Sequence, residues 1–145
     1  RVTMPILYLG SDVTTINQKI QDIFNRQHQN HFGKPATPTE DFDTFSLAVW
    51  DDGTLIGGIV ASQSYENYHI KGLAVDPVYQ GQDIGSELIR RLESHAKSHQ
   101  ASSITLSTKS YQALGFYQKL GYQEYTRLED VPITGVTKYH LVKYL

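Results

Sequence analysis

The sequence contains no cysteine. That excludes disulfides, thiolate metal sites and a cysteine nucleophile. It fits a reducing compartment, so a cytoplasmic location is expected. No apolar run approaches the roughly 20 residues that a membrane span needs, and the first residues do not resemble a signal peptide. No membrane partner is therefore expected. Excess positive charge is missing too: 13 Lys and Arg stand against 15 Asp and Glu, a formal net charge of -2. A dedicated nucleic-acid binder would carry a basic surplus, so none is expected as a partner. There is no repeat, no low-complexity tract and no linker long enough to divide domains. The expectation is one domain over residues 1–145.

What is present supports a packed interior, with hydrophobic residues at 39%. Met4 to Leu9 is a short apolar run read as a strand. Ser11 or Asp12 can cap a helix carrying Val13, Ile16, Ile20, Ile23 and Phe24 at helical spacing. Gly33 to Asp43, with Pro35 and Pro38, reads as a loop. Phe45 to Trp50 is a strand, Asp52-Gly53 a hairpin turn, and Thr54 to Ser64 the returning strand. Gly57-Gly58 marks a bulge or a close backbone approach. Tyr68 to Val75 is a further strand.

The second half reads helix, strand, helix, strand, strand. Ile84, Leu88, Leu92 and Ala96 fall four apart. Ser103 to Ser107 alternates, and Ala113, Phe116, Tyr117 and Leu120 share a helical face that Gly121 ends. Tyr122 to Leu128 and Thr137 to Tyr144 close the chain. The order is α/β, with a mainly antiparallel first half and a β–α–β–α–β second half.

The loop from Val75 to Ser86 joins a strand to a helix. A helix start leaves backbone N–H groups without partners, and with the dipole they form a site for phosphate. Gly81 and Gly85 let an anion approach the backbone, and Gln80 can add a donor. No Gly-Lys-Ser/Thr is present, so this is not a Walker loop, and the third glycine of a dinucleotide fingerprint is missing.

The run Gln80-Gly81-Gln82-Asp83-Ile84-Gly85 resembles the acetyl-CoA signature of the GNAT superfamily of N-acetyltransferases, Gln/Arg-x-x-Gly-x-Gly/Ala. Asp83 replaces its first glycine, and Gly85 keeps the second. Downstream, Ser110-x-x-Ala113-x-x-Phe116-Tyr117-x-x-x-Gly121-Tyr122 is similar to the second GNAT hallmark, with Ser110 where Asn is usual. Lys138 to Leu145 is similar to the end of one bacterial branch of small GNAT proteins.

The resemblance implies a GNAT acyl-CoA N-acyltransferase fold, a central mixed, mainly antiparallel sheet flanked by helices. It implies acetyl-CoA as cosubstrate and a primary amine of a small molecule, amino acid or protein as acceptor, attacking the thioester directly. Leu73, Ala74 and Val75 of a bulged strand would hold the pantetheine arm. Gln80, Gly81, Gln82, Asp83, Ile84, Gly85 and Ser86 would hold the pyrophosphate, and Ser110 and Tyr117 would also face the cofactor.

Tyr117 matches the family's general acid, although an unplaced Tyr on that stripe would be read as core. His69 stands where some members carry a basic Glu, and Glu66 is a second candidate. Asp83 can cap the helix by accepting an N–H, and its charge should repel the cofactor, so a functional but weakened phosphate site is expected, with Asp83 turned outward when CoA is bound. The pairs His28/His31 and His95/His99 could each share a helix face. Without HExxH they read as solvated helix ends, so no metal is expected. Glu40, Asp41, Asp43, Asp51 and Asp52 read as solvated acids that could attract an amine. C-terminal strands of this fold often pair between subunits, which makes a homodimer one arrangement. Asp83 and Ser110 leave a second reading open, a noncatalytic CoA-binding module. An interaction domain without cofactor is a third.

Overall fold

A computed structural model describes residues 5–145. They divide into two compact units, one ending at Pro38 and the other Thr39–Leu145.

The first unit is built on helix α1, Val13–Phe32. Asp12 caps it, its Oδ1 accepting from the Thr15 N–H at 2.8 Å. The helix stops at Gly33, which is left-handed and donates its N–H to the Gln29 carbonyl at 2.8 Å. The strand expected over Met4 to Leu9 does not form among the described residues, and Met4 lies outside them. Pro5 removes one ladder donor, and a short apolar run without a hydrogen-bonded neighbour cannot hold a strand.

The second unit is a six-stranded sheet: β1 (Thr44–Asp51), β2 (Thr54–Ser64), β3 (Asn67–Val75), β4 (Ser103–Lys109), β5 (Gln123–Glu129) and β6 (Thr137–Tyr144). Their order is β1-β2-β3-β4-β6-β5, and only β3 and β4 run parallel. Helix α2 (Ile84–Ser98) connects β3 to β4, and the short α3 (Leu114–Lys119) connects β4 to β5.

The hairpin expected at Asp52-Gly53 is present, with positive φ at both residues, as a twist-matched two-residue turn requires. Gly57-Gly58 proves to be a close approach. A Cβ on Gly57 would lie 2.6 Å from the Ala74 carbonyl oxygen, and one on Gly58 2.8 Å from that of Leu47.

The core lies between one sheet face and α2. Ile59, Ala61, Tyr68, Ile70, Ile104, Leu106 and Leu141 meet Leu88, Ile89, Leu92 and Ala96. Each fully buried Leu or Ile here contributes about 1.5–3 kcal/mol. α3 ends in paired bonds from the Gly121 N–H to Gln118 (3.0 Å) and the Tyr122 N–H to Tyr117 (3.1 Å). This is a Schellman stop, with Gly121 at φ 94°. Tyr122 is then buried, and its hydroxyl donates to Glu93 of α2 at 3.0 Å. Lys143 of β6 reaches the same carboxylate at 3.0 Å and the Leu120 carbonyl at 2.8 Å. This network fixes the end of α3 to α2 and β6.

Candidate active site

Two irregularities in β3 open a cleft. The first is a bulge: Val60 pairs with Gly72 and Ala61 with Ile70, so Lys71 is the extra residue. A bulge re-aims the strand beyond it. The second is a fork. β3 and β4 pair only over Asn67–His69 and Ser103–Thr105. Beyond Thr105, β4 follows β6 alone, and β3 runs on to Val75 without it.

The cleft that follows is about 560 Å³. One wall is Leu73, Ala74 and Val75 of β3. The floor is Gln80, Gly81 and Asp83 with Ile84, Gly85 and Ser86 of the first turn of α2. The facing wall is Tyr111 to Ala113 with Phe116 and Tyr117. None of these residues is Lys or Arg, so any anion here must be met by dipoles rather than by cations.

The dipoles are available. The Tyr79 and Gln80 N–H groups close a 3-10 turn on Asp76 and Pro77, and the Glu87 N–H bonds to the Asp83 carbonyl at 3.0 Å. Between them, the N–H groups of Gly81 through Ser86 donate to no acceptor among the described residues. A run of bare N–H groups at a helix start is an anion site.

The cap that Asp83 could supply is not made. Asp83 holds the N-cap position, but its side chain accepts no bond from the helix. The cause is its backbone, left-handed at φ 58°, ψ 21°, whereas a capping residue is normally extended. This conformation also accounts for the glycine usual at the position, since only Gly enters it without cost and Asp tolerates it better than most residues. The donors therefore stay open, and what Asp83 adds is a negative charge beside them. Removing that charge is worth roughly 1 kcal/mol toward a bound phosphate. Asp83→Gly and Asp83→Asn are each expected to tighten acetyl-CoA binding about three- to tenfold by isothermal titration calorimetry. A change confined to the Gly variant would assign the effect to the backbone instead.

Gly85 has a second duty that its spacing does not reveal. A Cβ there would sit 3.1 Å from the Phe116 ring, so the missing side chain lets the first turn of α2 pack against α3.

Tyr117 joins both readings of its residue. Its ring belongs to the core cluster, 7% exposed, 5.1 Å from the Phe116 ring and 6.0 Å from that of Tyr122. Yet it also lines the cleft, and its hydroxyl has no hydrogen-bond partner among the described residues. Burial raises its pKa above the usual 10, so the phenol stays protonated at neutral pH.

His69 sits at the last rung before the fork. Its Nδ1 is 2.9 Å from Thr105 Oγ1. That contact engages Nδ1 and leaves His69 Nε2 without a partner among the described residues. Partial desolvation, then the positive charges of His140, Lys138 and Lys71, lower its pKa below 6.5.

Of the residues named from the sequence, Leu73, Ala74, Val75, Gln80, Gly81, Asp83, Ile84, Gly85, Ser86 and Tyr117 meet in the cleft. Gln82 faces a neighbouring depression with Trp50 and Arg91. Ser110 is turned to β6: its N–H donates to the Thr137 carbonyl at 2.8 Å, and its Oγ accepts from the Thr137 N–H at 3.2 Å. Glu66 lies in the β2–β3 turn. Tyr79, Tyr111, Gln112, Ala113 and Phe116 line the cleft without having been expected to face the cofactor. The last four lie inside the second motif, which was the available signal. His95 is not a solvated helix end; its Nε2 pairs with Asp43 Oδ2.

Residues 17–122 match the model of the acetyltransferase (GNAT) family. The chain belongs to the GNAT family. It is 35% identical over 111 residues to the blasticidin-S acetyltransferase of Streptomyces morookaense, covering 76% of this chain and 79% of that one. It is 27% identical over 107 residues to N-alpha-acetyltransferase 30 of Schizosaccharomyces pombe, covering 69% and 71%. An acetyltransferase structure from Bacillus cereus ATCC 14579 superposes with a TM-score of 0.75 at 28% identity, covering 97% and 98% of the two chains. This GNAT protein is an acetyl-CoA-dependent N-acetyltransferase, and acetyl-CoA is its cosubstrate. The bare N–H run and the cleft fit that ligand: a pyrophosphate, a narrow amide-bearing arm and a thioester. No helix of the described residues is long and apolar enough to cross a membrane.

Proposed function

We propose that this GNAT enzyme acetylates a primary amine of a small polar molecule, with the Gly81–Ser86 N–H groups holding the pyrophosphate of acetyl-CoA. The observation that carries the reading is that run of unused donors opening onto a cleft beside an unpartnered phenol. The β3 backbone from Leu73 to Val75 holds the pantetheine arm. Tyr117 gives a hydrogen bond, and finally a proton, to the departing thiolate. His69 Nε2 takes the proton from the amine, directly or through water. The family match crosses from one compact unit into the other, which supports reading residues 1–145 as one acetyltransferase domain. The absence of cysteine supports a cytoplasmic setting.

Blasticidin S is the first acceptor to try, because a relative with 35% identity is named for it. A protein N-terminus is second, on the weaker relative. The test is thiol release from acetyl-CoA against a panel of amines that includes both. Turnover on a small amine supports the reading. Binding of acetyl-CoA without turnover on any acceptor would leave a noncatalytic CoA module instead.

The role of His69 has its own signature. Its lowered pKa keeps the imidazole neutral at pH 7 and into mild acid. We expect the ratio of wild-type to His69→Gln kcat/KM, in which the acceptor's own ionisation cancels, to stay well above one and constant near neutral pH and to fall in acid as His69 protonates. A ratio near one at every pH would remove His69 from the reaction.

A further inference from the structure

Outside the cleft, one cluster of ligating side chains is assembled from distant parts of the second unit. Asp43 lies just before β1. His95 and His99 lie one turn apart at the C-terminal end of α2. Their ligand atoms all fall within 4.8 Å of one another. The imidazole rings are stacked, with centroids 4.1 Å apart. His95 Nε2 is 2.5 Å from Asp43 Oδ2. We propose that Asp43, His95 and His99 form a binding site for a divalent transition-metal ion of the Zn²⁺ type, distinct from the acetyl-CoA cleft.

Four observations converge. The first is the donor set. Two imidazoles and one carboxylate suit Zn²⁺ and its first-row neighbours and select against Mg²⁺ and Ca²⁺, which take oxygen ligands. The second is orientation. His99 Nδ1 is 2.8 Å from the His95 carbonyl oxygen, so the ring donates there and leaves Nε2 to ligate. Bonds of this kind fix ligating histidines in metal sites. The third is the support of Asp43. The buried Tyr68 donates its hydroxyl to Oδ2 at 2.8 Å. The Asp43 N–H donates to Gln63 Oε1 at 2.8 Å, and its carbonyl accepts from the Gln63 N–H at 2.9 Å. The Phe45 ring lies 4.8 Å from that of His95. The fourth is the place. The last turn of a helix is the negative end of its dipole, which favours a cation.

Ion entry replaces the His95–Asp43 hydrogen bond by two metal bonds. With bonds of about 2.0–2.1 Å in tetrahedral array, ligand atoms stand about 3.3 Å apart. The pair must therefore open by less than an ångström, and the His99 ring must also turn out of its stack on His95, because the in-plane lone pairs of nearly parallel rings do not converge on one ion. Water completes the coordination. The bound ion would clasp the entry to β1 onto the end of α2.

The test uses the untagged full chain and Zn²⁺ alone. Wild-type protein should bind one equivalent saturably by calorimetry. At a hundredfold excess over Kd its Tm should rise by about 5–10 °C, with no response to Mg²⁺. His99→Gln alters an exposed residue. It should weaken Zn²⁺ binding at least tenfold, whereas His31→Gln on α1 should leave it unchanged. Tyr68→Phe should weaken it about tenfold through loss of the bond to Asp43. Co²⁺ bound to the wild type should give the intense visible bands of a four-coordinate site, a readout independent of any variant. No saturable binding, undiminished binding in a folded His99→Gln, or a pale six-coordinate Co²⁺ spectrum would each overturn the proposal.

Discussion

Replacing Tyr117 by Phe is expected to lower kcat by about two orders of magnitude, with the acetyl-CoA Kd within twofold and Tm unchanged. The argument turns on how little else the substitution removes. The ring is part of the core, 7% exposed, and Phe keeps it there. The hydroxyl has no partner among the described residues, so its loss orphans no buried group. What disappears is one proton donor facing the cleft. Its strength also constrains the chemistry. A phenol near 10 and a thiol near 8.5 differ by about 2 kcal/mol, and burial widens the gap. Complete transfer to the thiolate is therefore uphill. The reachable role is a hydrogen bond that strengthens as charge grows on sulfur, with the proton moving over only as CoA departs. A kcat within threefold of wild type on a good acceptor would remove Tyr117 from the mechanism.

Gly57→Val is expected to cost about 3 kcal/mol of stability, seen as a fall of about 10 °C in Tm. The surviving folded fraction should also bind acetyl-CoA at least tenfold more weakly. A Cβ at Gly57 would lie 2.6 Å from the Ala74 oxygen and 3.0 Å from Val75 Cα. Both obstacles are backbone, so no rotamer change relieves the overlap. β3 itself must move, and it moves at the residues proposed to hold the thioester arm. Gly72→Ala is the control. It lies on β3, the strand that Gly57 of β2 faces, with nothing within 4 Å of its added Cβ, and it should be neutral or slightly stabilising, because Ala loses less chain entropy on folding. Equal losses at both positions would show that this part of the sheet rejects any side chain, and the close-approach account of Gly57 would fall.

Much of the fold could be read from local pattern because local physics decides it. Asp52-Gly53 requires positive φ at both positions, and few residue pairs meet that demand. The four-residue spacing of Leu88, Leu92 and Ala96 leaves only one helix face for the core. The run of Met4 to Leu9 failed for the complementary reason: apolar character does not supply a neighbouring strand. Asp83 shows a finer limit. Its residue type suits a cap, but its left-handed backbone withdraws the side chain, and no single-residue preference encodes that dihedral. Ser110 occupies its motif position, yet its hydroxyl is engaged by β6, a partner 27 residues away. The pairing of Asp43 with His95 spans 52 residues. Spacing could register the two histidines, but nothing local could bring the carboxylate to them.

The fork between β3 and β4 has a consequence for how the chain behaves without its cosubstrate. Past His69, one side of β3 carries carbonyls and N–H groups with no strand beside them, in the middle of a sheet rather than at its rim. Such an open edge is a template for strand addition, and outer edges elsewhere are blunted by charge, proline or brevity. Here the opening is a few residues long and faced across the cleft by Phe116 and Tyr117 of α3, too short for another chain to register against it. Under the proposed reading, the defect that would make a sheet sticky serves as a slot where the amides of the pantetheine arm stand in for the missing strand.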